Sequence, residues 1–226
     1  NENENVKNIL NKIFITVYQK TKNSSKETMR SAKKLSNFIG SKHFEWNIDQ
    51  EVNSIVSKIS KNTKVEYNWK NHDISLQNIQ ARVRSPFIWF IANTNHFLLL
   101  ATSNRSELSV GYSTMDGDSS GSISPIAGLD KIFIQKLLKY FSEHYNYHIL
   151  DLVLNLKPSA ELQPIKYNQT DEEDLMPYRL LSKIEYLAVK KRLGPKEIIN
   201  QIKGEKEEIK ESVKKFFLNY GKSQWK

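Results

Sequence analysis

The 226-residue chain contains no cysteine. That excludes a disulfide framework, a thiolate zinc site and a cysteine nucleophile within it. It has no apolar run near the roughly 20 residues a bilayer span needs, and nothing at its start has the form of a secretory leader. Zinc-finger spacing, an aromatic RNA-binding signature and a long basic helix are all missing. So are HExxH, G-x-S-x-G and EF-hand spacings. What remains is a chain of 38% hydrophobic and 26% charged residues with a formal net charge of +9. This composition fits a globular domain with an affinity for polyanions such as nucleotides. The lysines are scattered, so a solvated basic surface accounts for most of the excess, and neither nucleic acid nor a membrane is favoured as a partner.

The hydrophobic pattern reads as strands alternating with helices. Residues 1–11 are polar and low in complexity, begin without Met, and are expected to form a frayed tail on an excised piece of a larger protein. Ile13, Ile15 and Val17 alternate in KIFITVY (12–18), which predicts a strand. The Ser24-x-x-Glu27 capping box opens a helix with Ala32, Leu35 and Ile39 on one face and Gly40 as its stop. A second strand is predicted over 44–48, then a helix capped by Asp49. A longer helix starts near Ser75 and should kink or restart at Pro86. Phe97 to Thr102 is the expected central strand, and Asp130 heads the next helix. The fold class is therefore α/β, a parallel sheet flanked by helices on both faces. Residues 12–150 form that core. Residues 151–226 are a polar loop, carrying the acidic run 171–174, and a helical extension with Ile209, Val213, Phe216 and Phe217 on one face.

The densest chemistry lies in FLLLATSNRSELSVGYSTMDGDSSGSISP (97–125). An apolar strand ends in hydroxyls, one carboxylate and a flexible loop. In open α/β sheets ligands bind beyond the carboxyl ends of the strands, so this is either a nucleotide or phosphate site or an ordinary polar connection. Thr102 is either a phosphate donor or a helix cap. Glu107 is either a ligand for a hard cation or a solvated helix charge. Asn78 and Arg82 lie four apart and can face one groove. Lys131 follows Asp130 at a helix start, beside free backbone N–H groups suited to phosphate. The loops 113–124 and 160–176 are expected to be disordered without ligand.

Several segments in order resemble the synthetase domain of NAD synthetases, most closely the glutamine-dependent type. They are NSSKETMRSAKKLSNFIGS, QNIQARVR (77–84), LLLATSNRSELSVGYSTMDGD (98–118), KPSAELQP (157–164) with QTDEEDLMPY (169–178), and the terminal QWK (224–226). The resemblance implies the adenine-nucleotide alpha-hydrolase fold (N-type ATP pyrophosphatase). It implies ATP-dependent amidation of deamido-NAD to NAD through an acyl-adenylate, with Mg2+, in a cytoplasmic homo-oligomer. It assigns Thr102, Lys131 and Ser159 to ATP. It assigns Asn78, Arg82, Glu107, Tyr112, Ser113, Thr114, Met115 and Lys226 to deamido-NAD, with Glu107 also a candidate for the metal. Met115 and Ser122 stand where the ammonia-dependent branch has lysine and aspartate, which places the chain with the glutamine-dependent branch. That branch's SGG-x-DS phosphate loop and its glutaminase domain, the partner that supplies ammonia, are not found in the 226 residues. The isolated chain is accordingly expected to be weakly active or inactive. The competing readings are another ATP-pyrophosphatase-type synthetase and a non-catalytic nucleotide-binding or basic interaction fragment.

Overall fold

Helical periodicity, not fraying, governs the first residues of the computed structural model, which describes residues 2–224. Val6, Ile9, Leu10 and Ile13 recur at three- and four-residue spacing, and helix α1 spans Glu2–Ile13. This helix occupies the segment expected as a tail and delays the first strand, β1, to Ile15–Lys20. Its packing explains Gly40. A Cβ there would lie 2.9 Å from Lys7 Cβ, and the residue sits at φ 87°. Only glycine meets both demands without strain.

Gly40 ends helix α2 (Lys26–Ile39), which begins one residue later than the capping box predicts: Ser25, not Ser24, accepts from the Thr28 N–H. Strand β2 (Lys42–Asn47) pairs with β1 in parallel, with Ile15 opposite Lys42 and Lys20 opposite Asn47. Helix α3 (Asp49–Thr63) follows. Asp49 is its first residue and does not cap it; the carboxylate accepts from the Lys22 N–H instead.

Helix α4 (Asp73–Asn95) runs through Pro86 without a restart. Proline denies the Arg82 carbonyl its helical partner, but tertiary bonds pin the helix at this point. Arg84 Nε donates to the Gln19 carbonyl, Gln19 Nε2 donates back to the Arg84 carbonyl, and Ser85 Oγ donates to the Asp116 carbonyl.

The expected central strand does not form a ladder. Residues 97–102 make one isolated parallel bridge, Leu100 to Ile123, through Ala101 N–H to the Ile123 carbonyl and Ile123 N–H to the Leu99 carbonyl. Its other edge faces β1 across a cleft. Among the described residues the sheet has two strands.

Helix α5 (Arg105–Ser109) and helix α6 (Lys131–His144) follow, the latter capped by Asp130 as predicted, through the Phe133 N–H. Short helices α7 (Asp151–Leu154) and α8 (Asp171–Asp174) lead to α9 (Tyr178–Glu185), α10 (Pro195–Gln201) and α11 (Lys206–Lys222). The tightest core lies here rather than under the sheet. Leu181, Ile184, Ile198, Val213 and Phe216 are all fully buried against one another. Each such side chain contributes about 1.5–3 kcal/mol of transfer free energy. Arg105 joins these helices to the sheet-end loops, with Nη2 on Asp130 and Nε on Glu185, both at 3.0 Å. Burial pushes the Glu185 carboxyl up, and Arg105 opposes it. Among the described residues no helix is long and apolar enough to cross a membrane.

Candidate functional site

The loop after residue 101 turns into α5, and Asn104, not Thr102, caps that helix. Asn104 Oδ1 accepts from the Glu107 N–H while Glu107 Oε2 accepts from the Asn104 N–H, a reciprocal capping box. This fixes the Glu107 carboxylate and leaves Oε1 to accept from Lys131 Nζ at 3.0 Å. Asp171 Oδ2 lies 4.0 Å from the same ammonium and accepts from the Tyr178 hydroxyl at 2.8 Å. One cation therefore sits between two acids, over the Tyr178 ring at 5.5 Å.

Asp171 is buried, and its Oδ1 has no hydrogen-bond partner among the described residues. Burial pushes its carboxyl above the ordinary carboxylate range, against the opposing pull of Tyr178 and Lys131. The phenols of Tyr112 and Tyr178 are pushed far upward, by burial first and then by Asp174 and Asp171. They remain donors at any physiological pH.

A cavity of about 500 Å³ opens beside this cluster, beyond the end of the 97–101 segment. Thr102, Glu107, Tyr112, Lys131, Ser159 and Asp171 all line it. Ser159 Oγ donates to the Gln169 carbonyl and accepts from the Glu161 N–H, so its hydroxyl also shapes the loop. The remaining expected residues that are described lie outside the lining. Asn78 Oδ1 accepts from Thr114 Oγ1, and the exposed Arg82 donates from Nε to the Met115 carbonyl. Ser113 lies between Tyr112 and Thr114 in this loop, and the Thr114 N–H bonds Asp118. Asn78 and Arg82 thus share a face of α4, as their spacing predicts, and that face holds the 112–120 loop against the helix. Arg84 points the other way, into β1; burial lowers its pKa. Lys226 lies outside the described residues.

Three acids at the site escaped sequence reasoning. From sequence, Asp171 falls in an acidic loop expected to be disordered without ligand. The signal that could have located it is Thr170 three residues before Glu173, which caps α8. Glu161 accepts from Thr28 Oγ1 at 2.6 Å and from the Ser25 N–H, and so closes the 155–165 loop onto the α2 N-terminus. Asp118 holds Thr114 from within the loop. No local pattern marks either. Among the described residues no cluster of three or more His, Cys, Asp or Glu could hold a metal by itself. Magnesium, however, takes one or two carboxylates together with substrate phosphate oxygens. Glu107 and Asp171, the latter with an unpartnered oxygen, fit that donor set.

The fold is of the adenine-nucleotide alpha-hydrolase type. A solved glutamine-dependent NAD(+) synthetase from Cytophaga hutchinsonii superposes with a TM-score of 0.86 at 39% identity, covering 99% of this chain and 36% of that one. The NMN synthetase of Francisella tularensis shares the fold at 20% identity, with a TM-score of 0.70 over 93% of this chain and 74% of that one. The profile of the NAD synthase family matches residues 5–226, and the chain belongs to that family. It is 35% identical over 237 residues to the glutamine-dependent NAD(+) synthetase of Saccharomyces cerevisiae, covering 94% of this chain and 33% of that protein. It is 31% identical over 242 residues to that of Drosophila melanogaster. The chain spans about a third of the length of the curated relatives it matches.

Proposed function

We propose that this chain is the ATP- and deamido-NAD-handling part of a glutamine-dependent NAD synthetase. It would support amidation of the nicotinate carboxylate through an acyl-adenylate, within a larger cytoplasmic, homo-oligomeric enzyme. The observation that carries the proposal is the ammonium of Lys131, held by Glu107 and Asp171 at the rim of a cavity that also presents the hydroxyls of Thr102 and Ser159. A phosphate entering there meets a fixed cation with unused donor capacity and a charge-assisted bond. Thr102 and Ser159 would orient the nucleotide. Magnesium, when bound, would spread phosphate charge, with Glu107 and Asp171 its protein ligands. Tyr112, kept protonated and bonded to Asp174 at 2.7 Å, would present its ring to the dinucleotide. Asn78, Arg82, Ser113, Thr114 and Met115 would form the wall of the acceptor subsite. A chain without cysteine cannot release ammonia from glutamine by a thiol route, so ammonia would come from a glutaminase domain.

The test is calorimetric titration of ATP and of deamido-NAD into the chain and into Lys131→Met. Loss of one charge-assisted bond, about 1.5–3 kcal/mol, should weaken ATP binding about 10- to 150-fold. Unchanged ATP affinity in the variant, or no binding of either ligand to the parent chain, would refute the assignment. NAD formation from ATP, deamido-NAD and ammonium by the chain alone should be weak or undetectable.

A further inference from the structure

We infer that Gln169 is a positioning residue that ties the nucleotide and acceptor sides of the candidate site into one latch, so that the two open and close together. The inference deepens the functional reading above and rests on it for the identity of the two ligands.

Residues 160–176 have the composition of a disordered loop, yet the chain's own side chains close them. The Gln169 amide uses its whole capacity, two lone pairs and two N–H groups. Oε1 accepts from the Leu162 and Gln163 N–H groups, both at 3.2 Å. Nε2 donates to Asp174 Oδ2 at 2.8 Å and to Gln77 Oε1 at 3.2 Å. The Gln169 carbonyl accepts from Ser159 Oγ at 2.7 Å. One residue thus fastens its own loop to α4 and α8.

Asp174 Oδ2 also accepts from the Tyr112 hydroxyl at 2.7 Å. Ser159 and Tyr112 both line the cavity. The first is assigned above to ATP and the second to the dinucleotide. Gln169 stands between them, reaching Ser159 through its carbonyl and Tyr112 through Asp174.

A second strap holds the same loop from the other side. Gln80 Nε2 and Asn23 Nδ2 donate to the Leu162 carbonyl at 2.8 and 3.0 Å. Gln80 and Asn23 are buried, whereas the bonds of Asp174 to Gln169 and Tyr112 face solvent. Water competes for the exposed bonds, and each alone adds little. The buried strap therefore acts as the hinge, and the Gln169 end is the one that lets go. Bonds linked in one chain reinforce one another, so the latch is made or broken as a unit.

A ligand that needs the closed form binds with its intrinsic dissociation constant divided by the closed fraction. While Gln169 keeps that fraction near one, neither ligand has to supply closure, and the two bind independently. Without Gln169 each ligand must close the loop, and whichever arrives first closes it for the other.

The test compares the 226-residue chain with Gln169→Ala by residue-resolved amide exchange, and by calorimetric titration of each ligand alone and of deamido-NAD with saturating ATP. The Glu161 and Asp171 N–H groups bond Ser159 Oγ and the Pro158 carbonyl, not the Gln169 side chain. Their exchange should nonetheless quicken at least about tenfold, together with that of Leu162 and Gln163. ATP and deamido-NAD should each bind Gln169→Ala at least about threefold more weakly, by the same factor, and saturating ATP should return deamido-NAD to within about twofold of its parent affinity. Loss of a merely local contact would weaken one ligand and would not be repaired by the other. Asp174→Asn keeps an oxygen acceptor for Gln169 and Tyr112 and should match the parent; Asp174→Ala should match Gln169→Ala. Unchanged exchange at Glu161 and Asp171, affinities equal to the parent's, weakening of one ligand only, or weakening that ATP does not repair would each overturn the latch. If the parent chain binds neither ligand, the functional reading falls, and the exchange comparison alone decides the latch.

Discussion

Replacing Lys131 with methionine tests the electrostatics of the site. The stem volume is kept, and the charge between Glu107 and Asp171 is lost. The Lys131 and Glu107 side chains are 21% and 18% exposed, and that of Asp171 only 6%. The pair is thus not fully sequestered, and the 3–5 kcal/mol typical of breaking a buried pair is an upper bound. One charge-assisted bond sets the expected loss at about 1.5–3 kcal/mol near neutral pH. For a chain of this size that is a fall of about 3–12 °C in Tm.

The loss should depend on pH, with a definite sign. Burial already holds the Asp171 carboxyl above its ordinary value of 3.8, and Lys131 opposes that rise. Removing Lys131 raises it further, so the native state keeps a proton that the unfolded chain has released. Stability supplied by the protonated form is full below the ordinary value and is lost as pH rises through the raised one. The deficit of Lys131→Met should therefore be small at about pH 4.5 and largest at about pH 8. Adding Asp171→Asn should recover part of it at high pH. Urea denaturation at both pH values, with the slope m unchanged, measures this. An equal deficit at both, or one that grows on acidification, would refute the assignment of an ion-held cluster.

Tyr178→Phe removes the hydroxyl that donates to Asp171 Oδ2 at 2.8 Å, from a side chain that is 1% exposed. It should cost about 1–3 kcal/mol at neutral pH and less in acid, read by the same titration. Phe216→Ala empties the centre of the helical core, where the ring stacks on Tyr220 at 5.7 Å. A loss of about 3–5 kcal/mol in urea denaturation is expected, and less than about 1 kcal/mol would mean that the core lies elsewhere. Gly121→Ala would place a Cβ 2.6 Å from the Ala101 backbone nitrogen, an atom that cannot swing aside. It should cost about 1–3 kcal/mol by pushing the 113–124 loop off residues 99–101, and a Tm equal to that of the parent chain would show that this contact is not made.

Local chemistry was legible from the chain alone. Gly40, Asp130 and the periods of α2, α6 and α11 each depend on residues within one turn of one another, and there the expected element and the observed one agree closely. The succession of family-like segments likewise sufficed for kinship, and the four residues it singled out, Thr102, Glu107, Lys131 and Ser159, line one cavity. The tertiary structure alone decided what those side chains face. Pro86 was outweighed by bonds from Arg84 and Ser85 to strands and loops remote in sequence. Arg82 was turned outward onto the Met115 carbonyl, while Asp171 was carried inward from an acidic run that reads as solvated. Residues 97–102, with ideal strand composition, stay unladdered because a strand exists only where a neighbour's backbone meets its own. Capping and periodicity act over a few residues, whereas burial and backbone pairing are set by segments remote in sequence, and no local pattern encodes which of them will meet.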